Sequence, residues 1–223
     1  MFENIGITGD IHGDLNLTRI KKAIKEKYDC LIVTGDFGYI WDNSKMEIDA
    51  LDKIEEMSIT ILFVSGNHEN FNLLKEYPIK YWNGGKVQFI RKNIIHLLRG
   101  QVFSINEKKF FTFGGAKSID KFMRKENIDW WKEEMPTLEE MNEGIDNLKE
   151  CGNKINYIIT HTCSDEILPQ IVKFSESDEL TRYFSFIKNN VDYDKWFFGH
   201  MHIDFHITKK DSCLYRNIIG LED

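Results

Sequence analysis

The chain alternates between short, wholly apolar runs and longer amphipathic stretches. Ile5-Gly6-Ile7-Thr8 reads as a buried strand, and Leu17, Ile20, Ile24 and Tyr28 then fall on one face of a helix. Residues 30–33 form a second buried strand, 46–57 a helix with Leu51 and Ile54 turned inward, and 60–64 a third strand. This βαβαβ alternation predicts a parallel sheet with right-handed crossovers, whose ligands gather beyond the carboxyl ends of the strands.

The pattern changes after residue 86. Short β-rich runs at 87–90, 94–98, 101–105 and 109–113, separated by Asn, Gly and Lys turns, predict an antiparallel meander. Thr137-Leu138-Glu139-Glu140 has the form of a capping box and opens a helix running to about residue 150. A strand at 155–160 follows, then a helix marked by Leu180, Tyr183, Phe184 and Ile187, and closing strands at 195–198, 203–208 and 213–219. No repeat, low-complexity tract or Pro-rich linker interrupts the order, so one mixed α/β domain over residues 1–223 is expected.

Composition narrows the classes. Hydrophobic residues at 42% and charged residues at 29% suit a globular chain with a filled core. The net charge of −7 repels polyanions, so nucleic acid is not the favoured partner, although bound divalent cations would reverse that field locally. Four cysteines without a CxxC pair read as free thiols of a reducing compartment. With no basic-then-apolar leader and no long apolar run, the expectation is a cytoplasmic protein without a membrane partner.

Five polar clusters fall at the ends of predicted strands: Gly9-Asp10-Ile11-His12, Gly35-Asp36, Gly66-Asn67-His68-Glu69, Thr160-His161 and Gly199-His200-Met201-His202. Each has an ordinary reading alone, since Gly-Asp is a common turn pair and Asp a common helix cap. Their conjunction is harder to dismiss, because five of the seven histidines lie in them and only His96 and His206 lie outside. Imidazoles, carboxylates and an amide oxygen form a ligand set suited to manganese, iron or zinc, and the absence of cysteine argues against a structural zinc finger.

In this order the clusters resemble the signature of the calcineurin-like metallophosphoesterases, D-x-H, G-D, G-N-H-E, H and G-H-x-H, here spanning Gly9 to His202. The segments Asp36-Phe37-Gly38-Tyr39-Ile40-Trp41 and Phe111-Thr112-Phe113-Gly114-Gly115-Ala116 look closest to the small single-domain bacterial members. The resemblance implies a four-layer αββα sandwich of two mixed sheets. It implies two divalent cations, with manganese favoured: one held by Asp10, His12, Asp36 and His202, the other by Asp36, Asn67, His161 and His200. A hydroxide between them would attack the phosphate ester, and His68 would act as general acid or stabilise the leaving oxygen.

A small phosphorylated substrate and phosphomonoesterase activity are therefore expected, with a phosphodiesterase or nuclease as the first alternative and a non-catalytic metal-dependent scaffold as the second. Protein Ser/Thr phosphatases of the superfamily carry arginines where this chain has residues 37–42 and Ser65, which argues against that substrate class. Asp14 and Glu69 are candidates to orient ligand histidines and equally to serve as capping or exposed carboxylates, Cys163 reads as a buried or rim residue, and the segment 117–131 overhangs the site or, as is commoner for paired tryptophans, packs as a helix.

Overall fold

The computed structural model describes residues 1–221. In chain order the elements are β1 (Ile5–Thr8), α1 (Thr18–Lys25), β2 (Cys30–Val33), α2 (Lys45–Glu55), β3 (Thr60–Phe63), α3 (Phe71–Leu74), β4 (Ile79–Trp82), β5 (Gly85–Arg91), β6 (Ile94–Leu97), β7 (Gln101–Ile105) and β8 (Lys108–Phe113). They continue with α4 (Leu138–Glu150), β9 (Lys154–Thr160), α5 (Glu179–Asn190), β10 (Asp192–Phe198), β11 (Phe205–His206), β12 (Asp211–Cys213) and β13 (Ile219–Gly220). Side-chain caps fix the starts of four helices: Ser44 accepts from the Glu47 N–H, Asn70 from those of Asn72 and Leu73, and Thr137 with Glu140 and Asp178 with Thr181 form reciprocal capping boxes.

Two mixed sheets result, one in the order β13-β1-β2-β3-β6-β5-β4 and one in the order β11-β12-β10-β9-β8-β7. Each has a parallel centre with antiparallel strands toward its edges: β1, β2, β3 and β6 run parallel in the first, and β8, β9, β10 and β12 in the second. Strand periodicity sorts side chains between layers. Leu31 and Val33 of β2 pack with Ile20, Leu51 and Ile54 of α1 and α2, while Cys30 and Ile32 join Phe110, Ile159 and Phe197 between the sheets. On the far side Trp196 and Phe198 of β10 pack with Leu148 of α4 and Phe184 and Ile187 of α5. The four-layer αββα arrangement follows from these three cores.

The expected meander between 87 and 113 is not one unit. β5 pairs antiparallel with β6 and β7 with β8, but β6 joins β3 in parallel and the chain changes sheets before β7. The change is made at Arg99-Gly100, where Gly100 takes φ +70° and buried Arg99 donates to the carbonyls of Gly114, Glu133 and Glu134. Such tertiary bonds leave no trace in local alternation. The closing strands also differ. Residues 203–208 reduce to the exposed pair Phe205–His206, and the expected strand 213–219 divides into β12 and β13 in different sheets.

His96 on β6 carries a consequence for stability. Its ring stacks on Phe63 at 4.8 Å and its Nδ1 donates to Gln88 Oε1 at 2.8 Å, because the Gln88 amide N–H groups are taken by the carbonyls of Leu74 and Tyr77. Burial, then the Arg99 charge, pulls its pKa down to about 3. The unfolded chain takes up this proton near pH 6.5 and the folded chain does not, so stability falls as pH drops through 6.5. Between pH 7 and 5.5 the loss from this group is about 1.3 kcal/mol. Urea unfolding of the wild type and of His96→Asn at both pH values is expected to show that difference, and equal pH sensitivity would contradict it.

Candidate metal centre

The five polar clusters follow β1, β2, β3, β9 and β10, and the parallel centres of the two sheets bring those strand ends together. Asp10, Asp36, Asn67 and His161 are buried and form the floor, His68 and His200 are half-buried, and His12 and His202 stand exposed at the mouth. Ligand atoms of Asp10, His12, Asp36 and His202 all lie within 4.8 Å of one another, with His12 Nε2 and His202 Nε2 2.9 Å apart. Beside them, His161 Nε2 lies 3.4 Å from Asp36 Oδ1 and 3.1 Å from Asn67 Oδ1, and the rings of His161 and His200 meet edge to face at 5.0 Å. All seven residues expected as ligands converge, and Asp36 touches both groups.

The backbone is bent to achieve this. Asp10 (φ +31°), His12 (+52°), Asp36 (+49°), His200 (+69°) and His202 (+52°) all occupy the left-handed region, which costs non-glycine residues energy and persists where surrounding structure enforces it. Gly66 makes room: a Cβ there would sit 1.9 Å from Asp36 Oδ1. Fixed bonds hold the strand ends. His200 N–H donates to both Asp10 oxygens at 3.0 and 3.1 Å, His68 N–H to Asp36 Oδ1 at 2.8 Å, and His161 Nδ1 to the Thr34 carbonyl at 2.7 Å, which turns His161 Nε2 toward the carboxylates. His202 stacks on Tyr215 with centroids 4.7 Å apart.

The charge balance fits a cation. Burial pushes the Asp10 carboxyl up, to about 7, against the pull of His161. Asp36, though buried, is held far below the ordinary carboxylate range by His161, whose own pKa rises, against burial, to about 9 because Asp36 and Asp10 face it. Partial loss of hydration and the neighbouring imidazoles lower His12 to about 4 although one side of it reaches the mouth, and burial lowers His200 to about 3. Neutral His12 and His200 and the ionised Asp36 are already in the ligand form a divalent metal requires, while His161 and Asp10 would release protons to it.

Several participants carry no sequence signal. Arg19 of α1 donates through Nη1 to the carbonyls of Gly9 and Tyr215, fixing the turn before Asp10. Glu69 accepts no imidazole proton of the kind the sequence suggested; its Oε1 takes the Phe37 N–H at 2.8 Å and so secures the Gly-Asp loop, and burial pushes its carboxyl up to about 8. Asp14 takes the N–H groups of Asn16 and Thr18 in the turn that leads into α1. Cys163 is buried, its thiol raised well above the ordinary range. From the segment 117–131, Trp131 goes into the core against Trp41, while Ser118 reaches the site.

Asn67 Nδ2 donates to Ser118 Oγ at 3.1 Å, and Ser118 in turn gives its hydroxyl proton to Glu134 Oε2 at 2.6 Å and its N–H to Glu134 Oε1 at 2.9 Å. This buried chain fixes which end of the Asn67 amide faces His161 and Asp36. Ser118→Ala is expected to weaken binding of one divalent cation by about 10–100-fold. Calorimetric titration with Mn²⁺ checks this, and unchanged affinity would contradict it.

A profile of the calcineurin-like phosphoesterases matches residues 3–204. The chain belongs to that family. The structural comparisons show the fold: a crystal structure of TT1561 from Thermus thermophilus aligns with a TM-score of 0.54 at 11% identity, over all of this chain and 96% of that one. A second crystal structure aligns at 0.55 and 15% identity with the same coverage. No curated protein matches the sequence. Membership in the calcineurin-like phosphoesterases accords with the site: their metal-dependent hydrolysis calls for a donor set of this kind, and this phosphoesterase places one at the carboxyl ends of its parallel strands.

Proposed function

We propose that this calcineurin-like phosphoesterase hydrolyses small phosphomonoesters at a centre of two divalent cations, manganese favoured. The observation that carries the reading is the convergence on Asp36 of two ligand groups, one to each side of its carboxylate. Asp10, His12, Asp36 and His202 would hold one cation, and Asp36, Asn67, His161 and His200 the other. When bound, such cations polarise phosphoryl oxygens and acidify water.

The chain's own groups account for orientation and proton delivery. Asp10 and Asp36 are immobilised by backbone N–H donors and Asn67 by Ser118, so the ligand atoms need little rearrangement. His68 is anchored through its backbone to Asp36, and its imidazole lies 5.4 Å from the His12 ring at the mouth. There it can give a proton to the leaving alcohol oxygen.

The acidic net charge supports a small substrate over a nucleic acid. Four free cysteines support a cytoplasmic location, and no helix among the described residues is long and apolar enough to cross a membrane. Initial rates with Mn²⁺ on p-nitrophenyl phosphate and bis(p-nitrophenyl) phosphate test the reading. A several-fold higher kcat/KM on the monoester is expected; the reverse ratio would assign a phosphodiesterase, and no turnover on either ester would favour a scaffold.

A further inference from the structure

A cavity of about 330 Å³ opens beside the metal centre, at the lower end of the size range of small-molecule sites. At one end it is lined by His12 and His68, and along its walls by Leu15, Tyr39, Trp41 and Met46. Gly13 and Gly38 leave part of the lining as bare backbone, since a Cβ at Gly13 would meet the Gly38 carbonyl oxygen at 2.3 Å. The aromatic walls are held in place. The Tyr39 hydroxyl donates to the Asp14 carbonyl at 2.6 Å, the Trp41 N–H is bound by Glu47, and the Trp41 ring stands edge-on to buried Trp131 at 5.3 Å. Trp41 lies 6.4 Å from the His68 ring, centroid to centroid.

The charges around this cavity are all of one sign. Among the described residues no lysine or arginine lines it; Asp42 and Glu47 do, and the Glu47 carboxylate is occupied by the N–H groups of Trp41, Asp42 and Asn43. Beyond the metal ligands at its inner end, a second phosphate or a carboxylate placed here would meet no lysine or arginine in the lining and would face Asp42. A flat uncharged ring would instead gain apolar contact with Trp41, Leu15 and Met46, while Tyr39 stays buried in the core.

We propose that this cavity binds the alcohol portion of the phosphoester and selects an uncharged aryl or heterocyclic group over an anionic one. The assignment rests on the phosphomonoesterase reading. In that reaction a water oxygen joins phosphorus, the bond from phosphorus to the alcohol oxygen breaks, and that oxygen receives a proton. His68, at the junction of cavity and metal centre, stands where that oxygen would emerge.

The test compares 2-naphthylmethyl, benzyl and ethyl phosphates with 3-phosphoglycerate, all esters of alkyl alcohols, so intrinsic reactivity varies little. The 2-naphthylmethyl ester is expected to exceed the ethyl ester by about tenfold or more in kcat/KM, chiefly through KM, with 3-phosphoglycerate the poorest. Trp41→Ala is expected to bring the naphthylmethyl-to-ethyl ratio toward one. Met46→Lys, at a position 64% exposed and so tolerant of change, is expected to raise 3-phosphoglycerate relative to ethyl phosphate. Equal kcat/KM across the series, or preference for 3-phosphoglycerate, would overturn the assignment. Quenching of tryptophan fluorescence by 2-naphthylmethylphosphonate, against ethylphosphonate, reads the cavity without turnover. Preferential naphthyl binding without hydrolysis of any ester would retain the cavity and sink the phosphoesterase reading, whereas hydrolysis without naphthyl preference would do the opposite.

Discussion

Asp36→Asn is expected to lower turnover of p-nitrophenyl phosphate by at least about 10³-fold while leaving the fold intact. The amide is isosteric and still presents an oxygen to the His68 N–H, which Asp36 Oδ1 now accepts at 2.8 Å. What is lost is the charge. Asp36 is buried, its Oδ1 lies 3.4 Å from His161 Nε2 and its Oδ2 3.8 Å from His12 Nε2, so one carboxylate faces both ligand groups. Removing it weakens attraction for a cation on either side, in a setting where burial strengthens every electrostatic contact. Steady-state kinetics beside circular dichroism decide the matter, and an unchanged spectrum with activity within about tenfold of wild type would contradict the role given to Asp36.

Removal of divalent metal is expected to have an effect of comparable size. Chelator-treated protein should hydrolyse phosphoesters at the background rate and recover on addition of Mn²⁺. Cation and protons compete for the same atoms. Below about pH 7 the Asp10 carboxyl is protonated in the folded chain, and His161, with its pKa raised to about 9, also carries a proton that a cation must displace. Affinity is therefore expected to fall as pH drops through 9, and more steeply below 7. Because a cation bound only by the folded chain stabilises it, Mn²⁺ at a hundred times its dissociation constant adds about 2.7 kcal/mol, readable as a rise in Tm. A Tm indifferent to Mn²⁺ at pH 8 would contradict the account.

Much of this site is legible in the amino-acid sequence, because the ligands sit where parallel strands end and the chain punctuates those ends with Gly, Asp and His. Cys30–Val33 and Thr60–Phe63 announce themselves as buried strands because they are apolar on both faces. The exposed strand Ile79–Trp82 does not, since its burial pattern at the sheet edge resembles a loop. The sheet change at Arg99-Gly100 is invisible for another reason. The alternation of Gln101, Phe103 and Ile105 is the same whether β7 continues one sheet or begins the other, and only Arg99's bonds to Gly114, Glu133 and Glu134 separate the two cases. Ser118 and Glu134 could not be found by pattern at all. They lie in a charged, irregular stretch, and their meaning arises only when β8 ends beside β3 and brings Ser118 against Asn67. Glu69 shows the converse, a residue in the right motif whose carboxyl serves the backbone of Phe37 and not a histidine.

Whether Asp36 would serve two cations at once is read by a calorimetric titration of chelator-treated protein with Mn²⁺ at pH 8, followed for stoichiometry in the wild type and in Asp36→Asn. The account predicts two equivalents bound by the wild type, with both affinities reduced together by the substitution. A single equivalent, or two of which only one responds to the loss of the Asp36 charge, would contradict it.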